Sequence, residues 1–446
     1  MPGRRTAFVC RECGHSTPKW AGRCPDCGSW DSLQESRVSG GSRGAGDVAS
    51  IEPVRLGDVQ SIDYSRVRFG LPEVERVFGG GLVPGSLSLL GGDPGIGKST
   101  LLIQIANGLR DGDSVLYVSG EESPHQLRLR ANRLDIAGSN ISVLPEVEVD
   151  SVIAAAEKMR PSLLIVDSIQ TARVDDLGSV PGSMAQVRES ANKLLRYAKE
   201  SHVPVLIAGH VTKEGNIAGP RTLEHLVDAV MYLEGESRSA YRLLRTVKNR
   251  FGSTNEVAVL AMTGTGLAEV PNPSSVFLSE RSESAPGSAV AITIEGSRAI
   301  MVEVQALVSR TVYSLPKRLA TGYDSNRLTM MVAVLGKRAG ANLFDQDVYV
   351  NVVGGLRLSE PAVDLPVALA IASSLRGRRI KPDVAAFGEI GLVGEVRSVS
   401  QGERRLEEAV RMNFGTCLIP KSLADGSSNG AVAVRDLNEA FEAGLD

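Results

Sequence analysis

The amino-acid sequence predicts three parts: a small cysteine-bearing module, a large α/β domain whose mostly parallel sheet is covered by helices on both faces, and a separate α+β domain. Three observations predict it. Cys10, Cys13, Cys24 and Cys27 stand close together at the start. From about 51 to 270, short apolar runs alternate with helical patterns, and the first run enters a glycine-rich loop. Beyond Pro271, Pro273 and the polar stretch Ser279 to Ser288, the pattern changes. The parts are drawn at 1–36, a linker at 37–50, 51–270 and 271–446.

The bulk numbers bound the rest. At 446 residues the chain is too long for one core. Its 42% hydrophobic and 23% charged residues are those of an ordinary globular protein. The formal net charge is -3, so a nucleic-acid surface has to be local rather than global. Aromatic residues are 4% of the chain, which argues against an extended base-stacking platform. There is no apolar run long enough for a transmembrane helix, and Met1 to Cys10 lacks the apolar segment of a signal peptide. Clustered cysteines without a disulfide pattern point to a reducing compartment, and the expected location is the cytoplasm.

The first part is built on Cys10, Cys13, Cys24 and Cys27, spaced Cys-x2-Cys-x10-Cys-x2-Cys. Two such knuckles place four thiolates at the corners of a tetrahedron, the closed geometry of structural zinc. Gly14 and Gly28 follow the second cysteine of each pair, where the turn needs a permissive backbone. His15 adjoins a knuckle but is not expected to be a ligand, and Cys417, in an apolar run, reads as a core residue. Arg37 to Ser50 is rich in Gly and Ser and reads as a flexible linker.

In the second part, Ser86 to Gly91, Ser114 to Ser119, Leu163 to Asp167 and Val203 to Ala208 read as buried strands, and Met184 to Ser201 as a helix. The first strand runs into Gly92-Asp93-Pro94-Gly95-Ile96-Gly97-Lys98-Ser99-Thr100, which fits the phosphate loop Gly-x4-Gly-Lys-Ser/Thr. Its glycines let backbone N–H groups close around phosphates, Lys98 reaches the β/γ-phosphates, and Ser99 offers a hydroxyl to Mg²⁺. A bound nucleotide is expected. Asp167 ends an apolar strand and is the expected second Mg²⁺ acid, Ser168 being available as the helix cap that such an Asp often is. Glu121 and Glu122 follow Tyr117-Val-Ser-Gly120 at the end of another strand, where a carboxylate can orient the attacking water. Glu121 is preferred, against the alternative of a surface pair opening a helix.

These motifs carry a resemblance. The zinc module, the phosphate loop, Val118-Ser-Gly-Glu-Glu-Ser123, Leu163-Leu-Ile-Val-Asp-Ser-Ile-Gln170, Gly209-His-Val-Thr-Lys-Glu-Gly215 and Lys248-Asn-Arg-Phe-Gly252 together resemble the bacterial RadA (Sms) family over essentially the whole chain. The resemblance implies a RecA-like ATPase core related to hexameric helicases. It puts Glu121 at the water-activating carboxylate and His210 at a γ-phosphate sensor, with a satisfied strand-end histidine as the alternative. It puts Lys213 on a loop that faces DNA, although a solvated lysine explains that residue equally well. Lys248 and Arg250 alternate on a stretch, Tyr241 to Phe251, that reads as a strand, so both point to one face. In related motors such a pair reaches a neighbouring subunit's ATP as an arginine finger. That implies a homo-oligomer, a hexameric ring, although the resemblance also links this motif to DNA.

In the third part, Ala289 to Ser309 and Val348 to Gly354 read as strands and Val363 to Leu375 as a helix. Glu360-Pro-Ala-Val-Asp-Leu-Pro366-Val-Ala-Leu369 and Gly388-Glu-Ile-Gly-Leu-Val-Gly394-Glu-Val396 resemble the Lon protease domain, of ribosomal S5-type fold. The alignment puts Val367 where that family needs its Ser and Glu403-Arg404-Arg405 where it needs its Lys, so peptidase chemistry is not expected. Arg310, Lys317, Arg318, Arg327, Lys337 and Arg338, against Asp324 alone, read as a patch for phosphate contacts, with a solvated face as the alternative.

What the resemblance implies is a DNA-dependent ATPase and helicase or translocase in homologous recombination and repair. It would act on single-stranded and branched DNA and promote strand exchange with the RecA recombinase, with no membrane partner. An ATP-dependent Lon-like protease and a RecA-like signalling ATPase are the alternatives.

Overall fold

The structure is a computed structural model that describes residues 6–10, 16–17, 19–25, 28–37, 55, 65–210, 223–235, 240–282, 285–312, 315–424 and 430–446. Cys13, Cys27, His15, Lys213 and nearly all of the expected linker lie outside them. The chain forms two compact units. One holds residues 1–234, 246–254 and 264–267, the other 235–245, 255–263 and 268–446. No helix among the described residues is long and apolar enough to cross a membrane.

At the start of the first unit, β1 (Thr6–Cys10), β2 (Ser16–Thr17) and β3 (Leu33–Arg37) form a small antiparallel sheet in the order β2-β1-β3. Cys10, Cys24 and Leu33 are buried together there, with Phe8 packed against them. Among the described residues this cluster is far below what holds a domain together unaided, as expected of a fold that relies on a bound metal.

The larger part of this unit runs α1 (Pro72–Val77), β4 (Leu87–Gly92), α2 (Lys98–Asn107), β5 (Val115–Ser119), α3 (Pro124–Arg133), β6 (Ile141–Leu144), α4 (Val149–Met159), β7 (Leu163–Asp167), α5 (Met184–Ser201), β8 (Val205–His210) and β9 (Ala229–Glu234). The strands lie in the order β9-β4-β8-β7-β5-β6, and every registered pair is parallel. All residues of β4, β5 and β7 are buried, which is why they read as unbroken apolar runs rather than alternations. Against one face pack Val187, Ala191, Leu194 and Ala198 of α5 with Val149, Val152 and Ala156 of α4. Each large aliphatic side chain so buried contributes about 1.5–3 kcal/mol. Capping fixes where these helices begin. Ser123 and Gln126 form a reciprocal capping box on α3, and the Ser183 hydroxyl accepts from Gln186 N at the start of α5.

The chain passes between the units within β10 (Tyr241–Asn249), which forms an antiparallel pair with β11 (Val257–Thr263) from Tyr241↔Ala261 to Arg245↔Val257. β12 (Gly266–Glu269) follows. β10 is shorter than the expected strand and ends at Asn249, so Arg250 stands in the turn beyond it.

The second unit continues with α6 (Pro273–Leu278), β13 (Ser288–Glu295), β14 (Arg298–Arg310), β15 (Arg318–Thr321), α7 (Ser325–Arg338), β16 (Gln346–Val352), α8 (Asp364–Arg376), β17 (Val384–Ala386), β18 (Glu389–Ile390), β19 (Val396–Arg397), α9 (Gly402–Arg411), β20 (Thr416–Pro420), β21 (Ala431–Val434) and α10 (Leu437–Gly444). Its main sheet has the order β15-β16-β14-β13-β17-β20-β21. The expected single strand from 289 to 309 is a hairpin: Glu295 faces Arg298, and Gly296 turns the chain at φ +64°. α8 is buried on every side from Asp364 to Ser373, the mark of a central helix. The glycine-rich stretch 388–396 forms the two-stranded β18–β19 ribbon. Cys417 is buried on β20, where burial pushes its thiol up to about 12.

Candidate active site

Four parallel strands deliver the expected chemistry to one edge of the sheet. β4 ends in the phosphate loop, β8 in His210, β7 in Asp167, and β5 runs into the turn that carries Glu121. Register aligns the ends: Gly92 pairs with His210, and Ser119 with Asp167. In open parallel sheets the carboxyl ends of the strands are where ligands bind, because the loops there are free to vary above a rigid base.

The phosphate loop is glycine-built for a steric reason. Gly92, Gly95 and Gly97 adopt φ of +154°, +75° and +117°. A Cβ on Gly92 would stand 2.6 Å from the Leu233 carbonyl. Gly97 is the N-cap of α2 and carries no side-chain cap, so the helix presents its first N–H groups to the loop. Lys98 is buried and curls back, donating to the carbonyl oxygens of Gly92 (2.9 Å) and Asp93 (3.0 Å). Burial lowers its pKa, against the pull of Asp167, Glu121 and Asp93. A cationic donor held over a ring of N–H groups fits the phosphates of ATP.

Asp167 is buried at the end of β7 and accepts from the Tyr117 hydroxyl at 2.7 Å. Burial raises its pKa, while hydrogen bonds from Tyr117 and Ser99 pull it down. The Ser99 hydroxyl and the Asp167 carboxylate are thus neighbours, the pair of oxygens that a Mg²⁺ ion on the phosphates requires.

The two glutamates separate by partner. Arg130 engages both carboxylate oxygens of Glu122, its Nε donating to Oε2 at 3.2 Å, and also donates to the Thr100 hydroxyl at 3.3 Å. Glu121 meets different groups: its Oε1 accepts from the Ser168 hydroxyl at 2.5 Å and lies 3.0 Å from His210 Nε2. Its side chain is 42% exposed, whereas Asp167 is buried. The His210 hydrogen bond is the largest cause holding the Glu121 pKa down, to about 2. The structure therefore brings Lys98, Ser99, Asp167, Glu121 and His210 together.

Lys248 and Arg250 do not join that group within the described chain. Lys248 Nζ donates to the carbonyls of Glu224 (2.7 Å) and Val227 (2.8 Å). Arg250 Nη1 lies 3.2 Å from Asp228 Oδ1 and is half exposed. The one-face argument from strand alternation is corrected, because Arg250 is off the strand. What gathers the two cations is the segment 224–228, which both of them touch.

Sequence reasoning missed four residues here. Tyr117 orients Asp167, Ser168 holds Glu121, Arg130 occupies Glu122, and buried Asp228 accepts from both Leu87 N (3.1 Å) and Arg250. Except for Arg130 and Glu122, eight residues apart, these contacts span long stretches of chain, so no local motif announces them. The only signal was a lone polar residue next to an apolar strand, as with Asp228 before β9.

In the zinc module Cys10 and Cys24 are buried side by side, and Cys10 Sγ lies 3.2 Å from the Ser32 hydroxyl. Two buried thiols converging in so small a cluster fit a tetrahedral zinc site, whose other two expected ligands, Cys13 and Cys27, lie outside the described residues.

The C-terminal unit corrects the expected basic patch. Arg327 is a bidentate partner of buried Asp364, with Nε to Oδ1 at 2.9 Å, and Tyr323 donates to the same carboxylate at 2.8 Å. Arg318 donates to the carbonyls of Lys317 (3.0 Å) and Leu343 (2.8 Å). These two guanidiniums are committed to the fold, so the run from Arg310 to Arg338 does not make a six-cation face. At the Lon-like positions, Val367 is fully buried on α8. Arg405 is fully buried too, clamped on both oxygens of Glu360 at 2.8 and 2.5 Å and donating to the Ile292 carbonyl at 2.6 Å.

Comparison with known proteins fits this layout. Family models match in three places: one described as the rubredoxin metal binding domain over residues 8–35, one as the AAA domain over 52–216, and one as subunit ChlI of Mg-chelatase over 321–422. The chain is 47% identical over 433 residues to the DNA repair protein RadA of Bacillus subtilis (strain 168), covering 96% of this chain and 94% of that one. It is 47% identical over 452 residues to the RadA of Pseudomonas aeruginosa, covering 99% of each. With the RadA of Halalkalibacterium halodurans it shares 46% over 458 residues and 100% of both chains. A solved structure described as that of the RadB recombinase aligns at 25% identity and a TM-score of 0.37, over 46% of this chain and 99% of that one. The chain thus has a zinc-ribbon module, a RecA-like AAA core and a Lon-like C-terminal domain, and it belongs to the RadA family of DNA repair proteins.

Proposed function

We propose that this chain is a DNA-dependent ATPase and translocase of homologous recombination and DNA repair. It would process branched intermediates and promote strand exchange with the RecA recombinase. The observation that carries the reading is the convergence of Lys98, Ser99, Asp167, Glu121 and His210 on one sheet edge in a chain of the RadA family. The layout that goes with it is a zinc finger at 1–36, a linker at 37–50, the ATPase domain at 51–270 and a Lon-like domain at 271–446, in a cytoplasmic protein.

ATP would lie in the loop Gly92 to Thr100, its phosphates met by backbone N–H groups. Lys98 exchanges its two loop carbonyls for phosphate oxygens. Ser99 and Asp167 hold Mg²⁺, which screens the phosphate charge. Glu121 is ionised at neutral pH, but a carboxylate held at about 2 is a poor proton acceptor. Its first task is to orient the attacking water, which suits a loose phosphoryl-transfer transition state with late proton movement. His210, hydrogen-bonded to Glu121 and standing at the end of β8, links the nucleotide to the segment that follows, which contains Lys213. Lys248 and Arg250 act on a neighbouring subunit's ATP in a hexameric ring, with a second role toward DNA left to them. Arg250, half exposed beside buried Asp228, is presented from a fixed base for that purpose.

The protease alternative has no support from the site, since Val367 and Arg405 are both buried and Arg405 is spent on Glu360. The test is strand displacement on a forked duplex with ATP, with Lys98→Ala as control. ATP-dependent displacement by wild type alone is expected. Displacement that persists in Lys98→Ala, or none on any branched substrate, counts against the motor.

A further inference from the structure

The chain has two tryptophans, and both belong to the zinc module. Neither serves its core: Trp20 is 56% exposed and Trp30 75%. An indole is among the largest apolar bodies a chain can bury, and Trp is highly buried on average. Two left in water on so small a module are costly unless something covers them. They also lie together. Arg23 and Trp30 form a β-bridge, the Asp31 N–H donates to the Gly22 carbonyl, and a Cβ on Gly22 would stand 3.8 Å from the Trp20 ring and 4.0 Å from the Trp30 ring. The two indoles therefore flank Gly22, where a Cβ would touch both rings.

Charge decides what would cover this face. The Arg23 guanidinium stacks over Trp30 at 5.7 Å and is steered there by its Nε bond to the Gly28 carbonyl (2.7 Å). Lys19, next to Trp20 in the chain, and Arg23 are both exposed, and Asp31, next to Trp30, is the acid among the described residues of this stretch. Among the described residues next to the two tryptophans in the chain, Lys19, Ala21, Gly22, Arg23, Ser29 and Asp31, none is a large aliphatic. A protein-docking hot spot would set its aromatics in an apolar ring that excludes water. Flat rings edged by cations match instead the unpaired bases and flanking phosphates of a single strand. Two rings serve one or two bases, so the low aromatic content excludes an extended platform but not this one.

We infer that Trp20 and Trp30, with Arg23 and Lys19, form a base-stacking site for single-stranded nucleic acid on the zinc module. The inference rests on the DNA-acting reading above and adds a contact outside the ATPase core.

The experiment uses the full-length, zinc-loaded chain. Its indole emission reports on this face alone, because no other tryptophan exists. Oligo-dT is titrated while its binding is followed separately by anisotropy of a dye on the DNA, and an abasic oligomer of equal length supplies the same phosphates without bases. The expected result is quenching that tracks binding with oligo-dT and is absent with the abasic strand. Trp20→Ala or Trp30→Ala is expected to weaken oligo-dT binding by roughly 5- to 100-fold with zinc content intact, and Trp→Phe at either place to recover most of it. Oligo-dT that binds without moving the emission, or alanine variants that bind like wild type, overturns the site and leaves the DNA-acting reading standing. Emission that responds only to an added recombinase overturns it in favour of a protein-docking face. No binding of oligo-dT at all overturns both.

Discussion

Glu121 and Glu122 are adjacent and chemically identical, and the structure gives them unequal prospects, in line with the preference for Glu121 read from the sequence. Glu122 spends both oxygens on Arg130, in an ion pair whose side chains are 29% and 23% exposed. Glu121 has a half-exposed carboxylate linked through Ser168 and His210 to the ends of two neighbouring strands. Glu121→Gln keeps the shape and removes the charge proposed to orient the attacking water and to take up its proton late in the step. A positioned base is worth about 10²- to 10⁴-fold, which is about 3–5 kcal/mol of barrier. ATP binding should hold, because the phosphate loop is untouched. Glu122→Gln loses one partly exposed ion pair worth about 1 kcal/mol, a fall in melting temperature of roughly 2–4 °C, with turnover near wild type. Steady-state phosphate release and thermal melts on both variants decide it. Turnover lost in Glu122→Gln and kept in Glu121→Gln would refute the assignment. The pH profile adds a check. A carboxyl held at about 2, below its ordinary 4.5, contributes stability that is present above 4.5 and lost as pH falls through about 2. No ionisation of Glu121 should therefore appear between about pH 5 and 8 in wild type. In His210→Ala the largest cause of the depression is gone, and the value rises.

Further predictions follow from single contacts. Asp228→Ala strips Leu87 N–H and Arg250 of their shared acceptor and should cost about 2–4 kcal/mol, read as a lowered denaturant midpoint. Cys10→Ser removes a buried thiol of the zinc module, and metal analysis of the purified chain should show zinc lost while the ATPase domain keeps its own melting transition. Glu360→Ala leaves Arg405 charged and buried without its partner and should destabilise the C-terminal unit by about 3–5 kcal/mol in chemical denaturation.

The parts of this protein that were legible in its sequence are those encoded locally. The phosphate loop needs a strand, glycines, Lys98 and a helix start within one short stretch, and all of these are side by side in the chain. The strands carrying Asp167 and His210 were legible because a central parallel strand is apolar on both faces. Legibility failed where distance or a turn intervened. The hairpin at Gly296 was read through because apolar residues continue on both sides of it, although Gly-Ser between strands is itself a turn signal. Arg250 was placed on a strand that ends one residue earlier. Tyr117, Ser168 and Asp228 matter through partners far along the chain, and the composition of the run from Arg310 to Arg338 could not show that Arg327 and Arg318 are already spent within the fold.

The central claim is that ATP hydrolysis at the Lys98 site is coupled to DNA and completed by Arg250. The measurement that tests it most directly is steady-state ATP hydrolysis with and without single-stranded DNA, on wild type, Lys98→Ala and Arg250→Ala. DNA is expected to change the wild-type rate or its ATP dependence, and both variants are expected to lose turnover. Hydrolysis that ignores DNA, with Arg250→Ala behaving as wild type, would contradict it.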